Sequence, residues 1–117
     1  MNHAVISPAQ RARTTWDLVS GELAGPPPAT LDGRAYTFDA RGLMEIVWDL
    51  PEDWETVALV GHNPAMQELV NHLTASGRAM PTSCVAVVGL PGPWAEAGPG
   101  GDLLAHGRPP ADALTDD

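Results

Sequence analysis

The sequence contains no lysine, and its six basic residues, all arginines, face fifteen aspartate and glutamate residues. The formal net charge of -9 argues against nucleic acid or an anionic membrane as a partner, because both repel an acidic protein. There is one cysteine, Cys84, which excludes an intramolecular disulfide and is typical of a cytoplasmic protein. No apolar run approaches the ~20 residues that span a bilayer. We therefore predict a cytoplasmic protein without a membrane segment.

Signatures of metal and nucleotide sites are also missing. The four histidines, His3, His62, His72 and His106, lack the spacing of metal ligands, and Cys84 has no second thiol. No Walker loop, Gly-x-Gly-x-x-Gly or Ser-His-Asp pattern occurs. The sequence therefore predicts neither a metal nor another cofactor. With 117 residues, 44% of them apolar, the chain is long enough for one domain with a packed core.

Short apolar runs alternate with segments of helical periodicity, which predicts an α/β fold. Strands are predicted at residues 4–6, 56–61, 84–88 and 103–106, with a short extended segment at 35–38 and a loop at 25–34. The run at 56–61 is apolar on both faces, as expected of a central parallel strand. Three helices follow Ser7, Asp39 and Asn63, each of which is predicted to cap its helix. The predicted core faces of these helices are Ala12, Trp16, Val19 and Leu23; Leu43, Ile46, Val47 and Leu50; and Met66, Leu69, Val70 and Leu73.

Two strand-to-helix junctions carry the candidate site. Arg11 lies in the first turn of the helix after Ser7, and His62 lies where the strand at 56–61 ends. If both strands are parallel in one sheet, both residues lie at its carboxyl edge, where open α/β sheets bind ligands. Helix N-termini at that edge favour an anion such as phosphate.

The residues at these junctions resemble two motifs of the histidine phosphatase superfamily. Residues 7–15, Ser-Pro-Ala-Gln-Arg-Ala-Arg-Thr-Thr, are similar to its second motif, and residues 60–64, Val-Gly-His-Asn-Pro, are similar to a later one. The order of the motifs also matches, and the details resemble the small bacterial phosphohistidine phosphatases of the SixA type. The resemblance covers nearly the whole chain and implies a three-layer αβα fold like that of phosphoglycerate mutases.

The resemblance also implies a function. In that superfamily a histidine of an Arg-His-Gly or Arg-His-Ala motif attacks phosphorus, and water then releases phosphate from the phosphohistidine intermediate. Arginines and a second histidine hold the phosphoryl oxygens. By position, Arg11 and His62 would be the catalytic and phosphate-binding residues, without metal. The implied partner is a protein phosphorylated on histidine, or else a small phosphoester.

One part of the family pattern is missing, because these 117 residues contain neither Arg-His-Gly nor Arg-His-Ala. His3 lies too close to Ser7 to replace that histidine. We therefore expect residues 1–108 to be a partial domain, N-terminally truncated by one strand and one helix, followed by a flexible acidic tail at 109–117. Since the missing strand lies in the middle of the family's sheet, its neighbours are expected to have unpaired backbone groups.

Three functions stay open at this stage: a phosphohistidine phosphatase that lacks its nucleophile segment, a phosphatase of small phosphorylated metabolites, and a non-catalytic remnant that binds phosphate or a protein. Arg11 also has the simpler interpretation of a solvated helix arginine, and His62 that of a capping or core histidine. Asp39 and Glu68 are candidate general acids without motif support.

Overall fold

The computed structural model describes residues 1–77, 79–80 and 85–107. Cys84 and the predicted tail at 109–117 lie outside these ranges. The regular elements follow in chain order: β1 (His3–Ile6), α1 (Gln10–Gly21), β2 (Ala29–Leu31), a 3-10 turn (Gly33–Ala35), α2 (Ala40–Trp48), β3 (Val57–Val60), α3 (Ala65–Thr74), β4 (Val85–Gly89), a second 3-10 turn (Trp94–Glu96) and β5 (Asp102–Gly107).

The described part of the chain contains a parallel sheet with the strand order β2-β1-β3. Strand β1 pairs with β3 from His3 opposite Val57 to Ile6 opposite Val60. The predicted α/β class is therefore confirmed. The prediction that the apolar strand at 56–61 is central is wrong, because β3 lies at the edge of this sheet and β1 lies in the middle. Helices pack on both faces of an edge strand as well, so β3 is apolar on both faces although all four of its residues stay partly exposed.

Helices cover both faces of this sheet. On one face, Ala12 and Trp16 of α1 pack against Ala4 and Ile6 of β1. On the other face, α2 and α3 pack against Val5 in a larger cluster. Alternate residues of β1 thus point into two separate cores, as the pleat of a strand requires. The predicted helix faces are confirmed for α2 and α3, but Val19 of α1 is partly exposed.

The C-terminal part of the described chain forms an antiparallel hairpin in which β4 pairs with β5. This hairpin confirms the strand predicted at 103–106 and, for the part that the structure describes from Val85 on, the strand predicted at 84–88. Val88, Leu90 and Trp94 pack against the core between the sheet and helices α2 and α3. The hairpin therefore belongs to the same packed unit as the parallel sheet, although the described residues show no strand pairing between the two.

The segment between α1 and α2 differs from the prediction. Strand β2 lies within the predicted loop at 25–34, whereas the predicted extended segment at 35–38 begins at the end of a 3-10 turn. All three residues of β2 are exposed, and the run Ala-Thr-Leu is too short for its alternation to predict a strand. This strand is defined by its parallel pairing with β1, a contact distant in sequence that a local pattern does not reveal.

Two of the three predicted helix caps are wrong. Helix α1 begins after Ala9, and no side chain caps it, because the hydroxyl of Ser7 is directed toward His62. Helix α3 begins after Pro64, although the Asn63 side chain still accepts a bond from the Gln67 backbone N–H. Asp39 does cap α2 by accepting from the Arg41 N–H at 3.0 Å.

The expected unpaired backbone groups are not found at β1, which is paired on both sides. Strand β3 pairs directly with β1, with no strand between them. No helix in the described ranges is both long and apolar enough to cross a bilayer.

Candidate functional site

The pairing of β1 with β3 sets the geometry of the candidate site. Because Ile6 and Val60 are register partners, both strands end at the same level of the sheet. The Ser7 backbone N–H continues this pairing by donating to the Val60 carbonyl at 2.9 Å. His62 follows β3 at that edge, and its carbonyl accepts the Met66 N–H at the start of α3. The two junctions singled out from the sequence are therefore neighbours at the carboxyl edge of the sheet.

A short hydrogen bond joins the two junctions. Ser7 Oγ lies 2.7 Å from His62 Nε2, and Ser7 is fully buried. The same oxygen accepts the Ala9 backbone N–H at 3.3 Å. Because Ser7 occupies Nε2, Nδ1 is the ring nitrogen of His62 that remains for a ligand; no described residue bonds to it. Ser7 thereby fixes both the position of the ring and the nitrogen it presents.

A serine beside a histidine also suggests a nucleophile and its base. The burial of Ser7 argues against that role, because a fully buried hydroxyl cannot reach a carbonyl or phosphoryl group of a substrate. Ser7 is therefore a positioning residue for His62.

Arg11 supplies a cationic group beside the His62 imidazole. It lies in the first turn of α1, exposed to solvent, and the described residues include no carboxylate within ion-pair distance of it. Its charge nevertheless acts on the His62 ring, because it helps to lower the pKa of that histidine. Thr15, the threonine of the same motif, donates its hydroxyl proton to the Arg11 carbonyl at 2.9 Å. The Arg11 guanidinium thus lies close enough to His62 to act on its charge, and it is exposed to solvent.

Burial is the main cause that lowers the pKa of His62 below its usual 6.5, and repulsion from Arg11 adds to it. The imidazole is consequently neutral at neutral pH when the site is empty. An anion that binds between Arg11 and His62 would offset both effects, since it screens the guanidinium and stabilises the imidazolium. Binding of an anion at this position would therefore favour proton uptake by His62.

We expect His62 to make the protein less stable in mild acid. Its pKa is lower in the folded than in the unfolded chain, so the unfolded state binds the proton more tightly. The free energy of unfolding should stay constant at a pH above 6.5, the usual pKa of histidine. It should fall as the pH drops from 6.5 through the lower pKa that His62 has in the folded protein. Urea unfolding at about pH 7.5 and about pH 5 measures this loss, which should be smaller in His62→Gln. An equal loss in both proteins would contradict the assigned burial of His62.

The other candidate residues lie outside the site. His3 begins β1 at the opposite end of the sheet, where its ring stacks on Trp54 at 4.5 Å. The carboxylate of Asp39 caps α2, and Glu68 is exposed in the first turn of α3. His72 is exposed, and His106 contacts the Ala79 carbonyl at 2.7 Å. The structure thus brings together Arg11 and His62 and gives neither candidate general acid a contact with them.

Tyr36 is a site residue that sequence analysis missed. Its ring centroid lies 5.4 Å from that of His62, with the ring planes inclined by 59°. Tyr36 lies in the connection between the first 3-10 turn and α2, 26 positions before His62, and no motif contains it. The one feature of the sequence that could have drawn attention to Tyr36 is that it is the single tyrosine of the chain.

An open groove of about 450 Å³ lies beside the site without including Arg11 or His62. Its walls come from α1, β1 and β2, with Arg13, Trp16 and Leu31 among the lining residues.

No metal-binding cluster of three or more His, Cys, Asp or Glu occurs among the residues described. Comparisons of the chain with protein-family models, with curated proteins and with solved structures give no match.

Proposed function

We propose that this chain carries the phosphoryl-binding part of a phosphohistidine phosphatase-type hydrolase with the histidine phosphatase fold. The observation that carries the proposal is the pairing of β1 with β3. It brings an oriented imidazole to the same sheet edge as a guanidinium that has no carboxylate partner among the described residues. Phosphoryl oxygens need preorganised cationic donors, and an arginine offers two parallel N–H groups to them. The start of α1 adds free backbone N–H groups beside Arg11.

Each residue has a distinct role in this proposal. Arg11 holds two equatorial oxygens of the phosphoryl group and neutralises their charge. His62 donates a proton from Nδ1 to another oxygen, while Ser7 keeps Nε2 occupied and the ring in place. These interactions grow stronger as charge develops on the oxygens in the transition state, which is how such a site accelerates phosphoryl transfer.

The chemical step also needs a nucleophile, and the proposal assigns it to a histidine of an Arg-His-Gly or Arg-His-Ala segment. That nitrogen attacks phosphorus, the leaving group departs with a proton, and water then hydrolyses the phosphohistidine. The 117 residues contain no such segment, so we expect them to bind phosphate without turning over phosphoesters. An in-frame Arg-His-Gly or Arg-His-Ala about 40–60 residues upstream of Met1, the length of one added strand and helix, would support this assignment.

A second candidate function is phosphate or phosphoprotein binding without catalysis. It is favoured by the direct contact between β1 and β3. A strand inserted between them would place their axes about 9–10 Å apart, which is too far for the bond of 2.7 Å between Ser7 and His62. The direct pairing of β1 with β3 therefore supports a site that binds phosphate and has no nucleophile strand between them. Hydrolysis of small phosphorylated metabolites remains a further alternative, which assays on both substrate classes would separate.

Titration of the chain with inorganic phosphate tests the proposal. We expect Arg11→Gln to weaken binding by about tenfold to a hundredfold, because a hydrogen bond to a charged group contributes roughly 1.5–3 kcal/mol. Binding is measured by isothermal titration and by the NMR shifts of His62, whose pKa should rise when phosphate binds.

Arg13→Gln is the matched control, since Arg13 is exposed on the same helix and its loss changes the net charge equally. It should leave binding within about twofold of the wild type, as expected for an exposed charge away from the ligand. Equal losses in Arg11→Gln and Arg13→Gln would show that net charge alone attracts phosphate. Absence of binding at millimolar phosphate would refute the proposed function.

A further inference from the structure

Tyr36 stands at the edge of the candidate site with most of its ring open to solvent. The ring contacts His62 from one side, yet 62% of the residue is exposed. A large aromatic ring that is fixed at a polar site and left uncovered offers an apolar surface to whatever binds there.

The segment that carries Tyr36 is held by an ion-pair network. Arg34 Nη2 binds Asp32 Oδ2 at 2.9 Å, and Arg34 Nη1 binds Asp49 Oδ2 at 2.6 Å. These two carboxylates raise the pKa of Arg34, which keeps its charge at every accessible pH. The Tyr36 N–H closes the 3-10 turn by donating to the Gly33 carbonyl at 3.0 Å.

Packing against α2 restrains the same segment. Ala35, the residue before Tyr36, is fully buried in the larger core. Gly42 of α2 approaches the Arg34 carbonyl so closely that an added Cβ would lie 2.5 Å from that oxygen. The backbone of Tyr36 is therefore fixed by the protein before any ligand binds. A ligand that stacks on the ring consequently loses less free energy to ordering the loop.

We propose that Tyr36 determines substrate specificity and that the site takes a phosphoryl group carried by an aromatic ring. This inference rests on the proposed function. The phosphoryl group lies between Arg11 and His62, and the ring that bears it packs on the exposed surface of Tyr36. Because the Tyr36 ring contacts the His62 ring, a ligand ring bonded directly to a phosphoryl group at His62 would lie beside Tyr36. A flexible aliphatic phosphate gains no comparable aromatic contact.

The phosphorylated ring has two sources, a side chain of a protein or a small aryl phosphate, and both present the same chemistry to the site. A phosphoimidazole on a protein is the first kind, and phenyl phosphate is the second. Direct bonding between ring and phosphoryl group is the shared feature that Tyr36 would recognise. Sugar phosphates, in which a saturated ring or chain carries the phosphate, lack it.

The experiment uses the full 117-residue chain and measures dissociation constants by isothermal titration. The probes are phenylphosphonate and cyclohexylphosphonate, which share the phosphoryl charge and differ in aromaticity, together with inorganic phosphate. We expect phenylphosphonate to bind about threefold to tenfold more tightly than cyclohexylphosphonate, the gain of one aromatic stacking contact. A peptide bearing a triazolylphosphonate analogue of phosphohistidine distinguishes the protein source, because it binds more tightly than free phenylphosphonate if flanking residues contribute.

Three variants separate stacking from other effects. Tyr36→Ala should abolish the preference for phenylphosphonate over cyclohexylphosphonate, and Tyr36→Phe should keep the preference. Phe38→Ala is the control, since Phe38 is 82% exposed two residues further along the chain. A preference that survives in Tyr36→Ala, or equal affinities for both phosphonates in the wild type, overturns the inference while phosphate binding stands. Failure of all three probes to bind overturns the proposed function as well.

Discussion

Leu43→Ala is expected to lower the free energy of unfolding by about 2–5 kcal/mol, the cost of truncating a buried leucine. Leu43 is fully buried in α2, in the cluster that includes Val5 of the sheet and Leu69 of α3. Truncation removes apolar contacts with both elements at once and leaves a cavity that the surrounding helices fill incompletely. Since single domains of this size are stable by about 5–15 kcal/mol, the loss is a large share of the total.

Urea unfolding followed by circular dichroism measures this loss. Leu18→Ala is the matched control, because it makes the same substitution on a helix at a residue that is 67% exposed. It should change the free energy of unfolding by less than about 0.5 kcal/mol, as exposed substitutions do. If both variants lost the same stability, the assignment of Leu43 to the core would be wrong.

Trp16→Ala is expected to cost about 3–5 kcal/mol, the usual range for truncating a buried tryptophan. Trp16 is the largest member of the small cluster that holds α1 on the sheet, whose other buried members are Ala4, Ile6 and Ala12. Because α1 carries Arg11, loosening this helix also displaces the guanidinium from His62. Phosphate affinity should therefore fall together with stability, although Trp16 is not a ligand of the phosphate.

Two measurements test this coupling. Phosphate binding is compared in Trp16→Ala and Leu43→Ala at a temperature where both variants remain folded. Leu43 packs on the opposite face of the sheet from α1, so its truncation should leave phosphate affinity nearly unchanged. An equal loss of affinity in both variants would mean that the site responds to general destabilisation, and not to the placement of α1. Trp48→Ala, at a partly exposed tryptophan of α2, is expected to change affinity little.

Much of the local structure follows directly from the sequence. Leu43, Ile46 and Val47 recur at helical spacing, and all three are buried in α2 as predicted. The apolar runs at β1 and β3 are strands, and Asp39 caps its helix. These features depend on residues within a few positions of one another, where side-chain periodicity and capping preference act without help from the rest of the chain.

The order of the strands did not follow from the sequence. The most apolar run, β3, was predicted to be central, yet β1 pairs on both sides and β3 forms an edge. Burial by helices makes central and edge strands equally apolar, so composition does not distinguish them. Strand β2 was missed because its three exposed residues carry no pattern of their own. Its place is decided by hydrogen bonds to a strand more than 20 residues away.

The sequence by itself determined that Arg11 and His62 stand at two junctions where a helix follows an apolar strand, and these junctions suggested an anion as the ligand. Tertiary structure decided how these residues meet. The register of β1 with β3 turns Ser7 from a predicted cap into the partner of His62 and lowers the pKa of the imidazole by burial. It also places Tyr36 against the same ring. These contacts join residues that are 55 and 26 positions apart in the chain, and only the folded sheet and its connections bring them into contact.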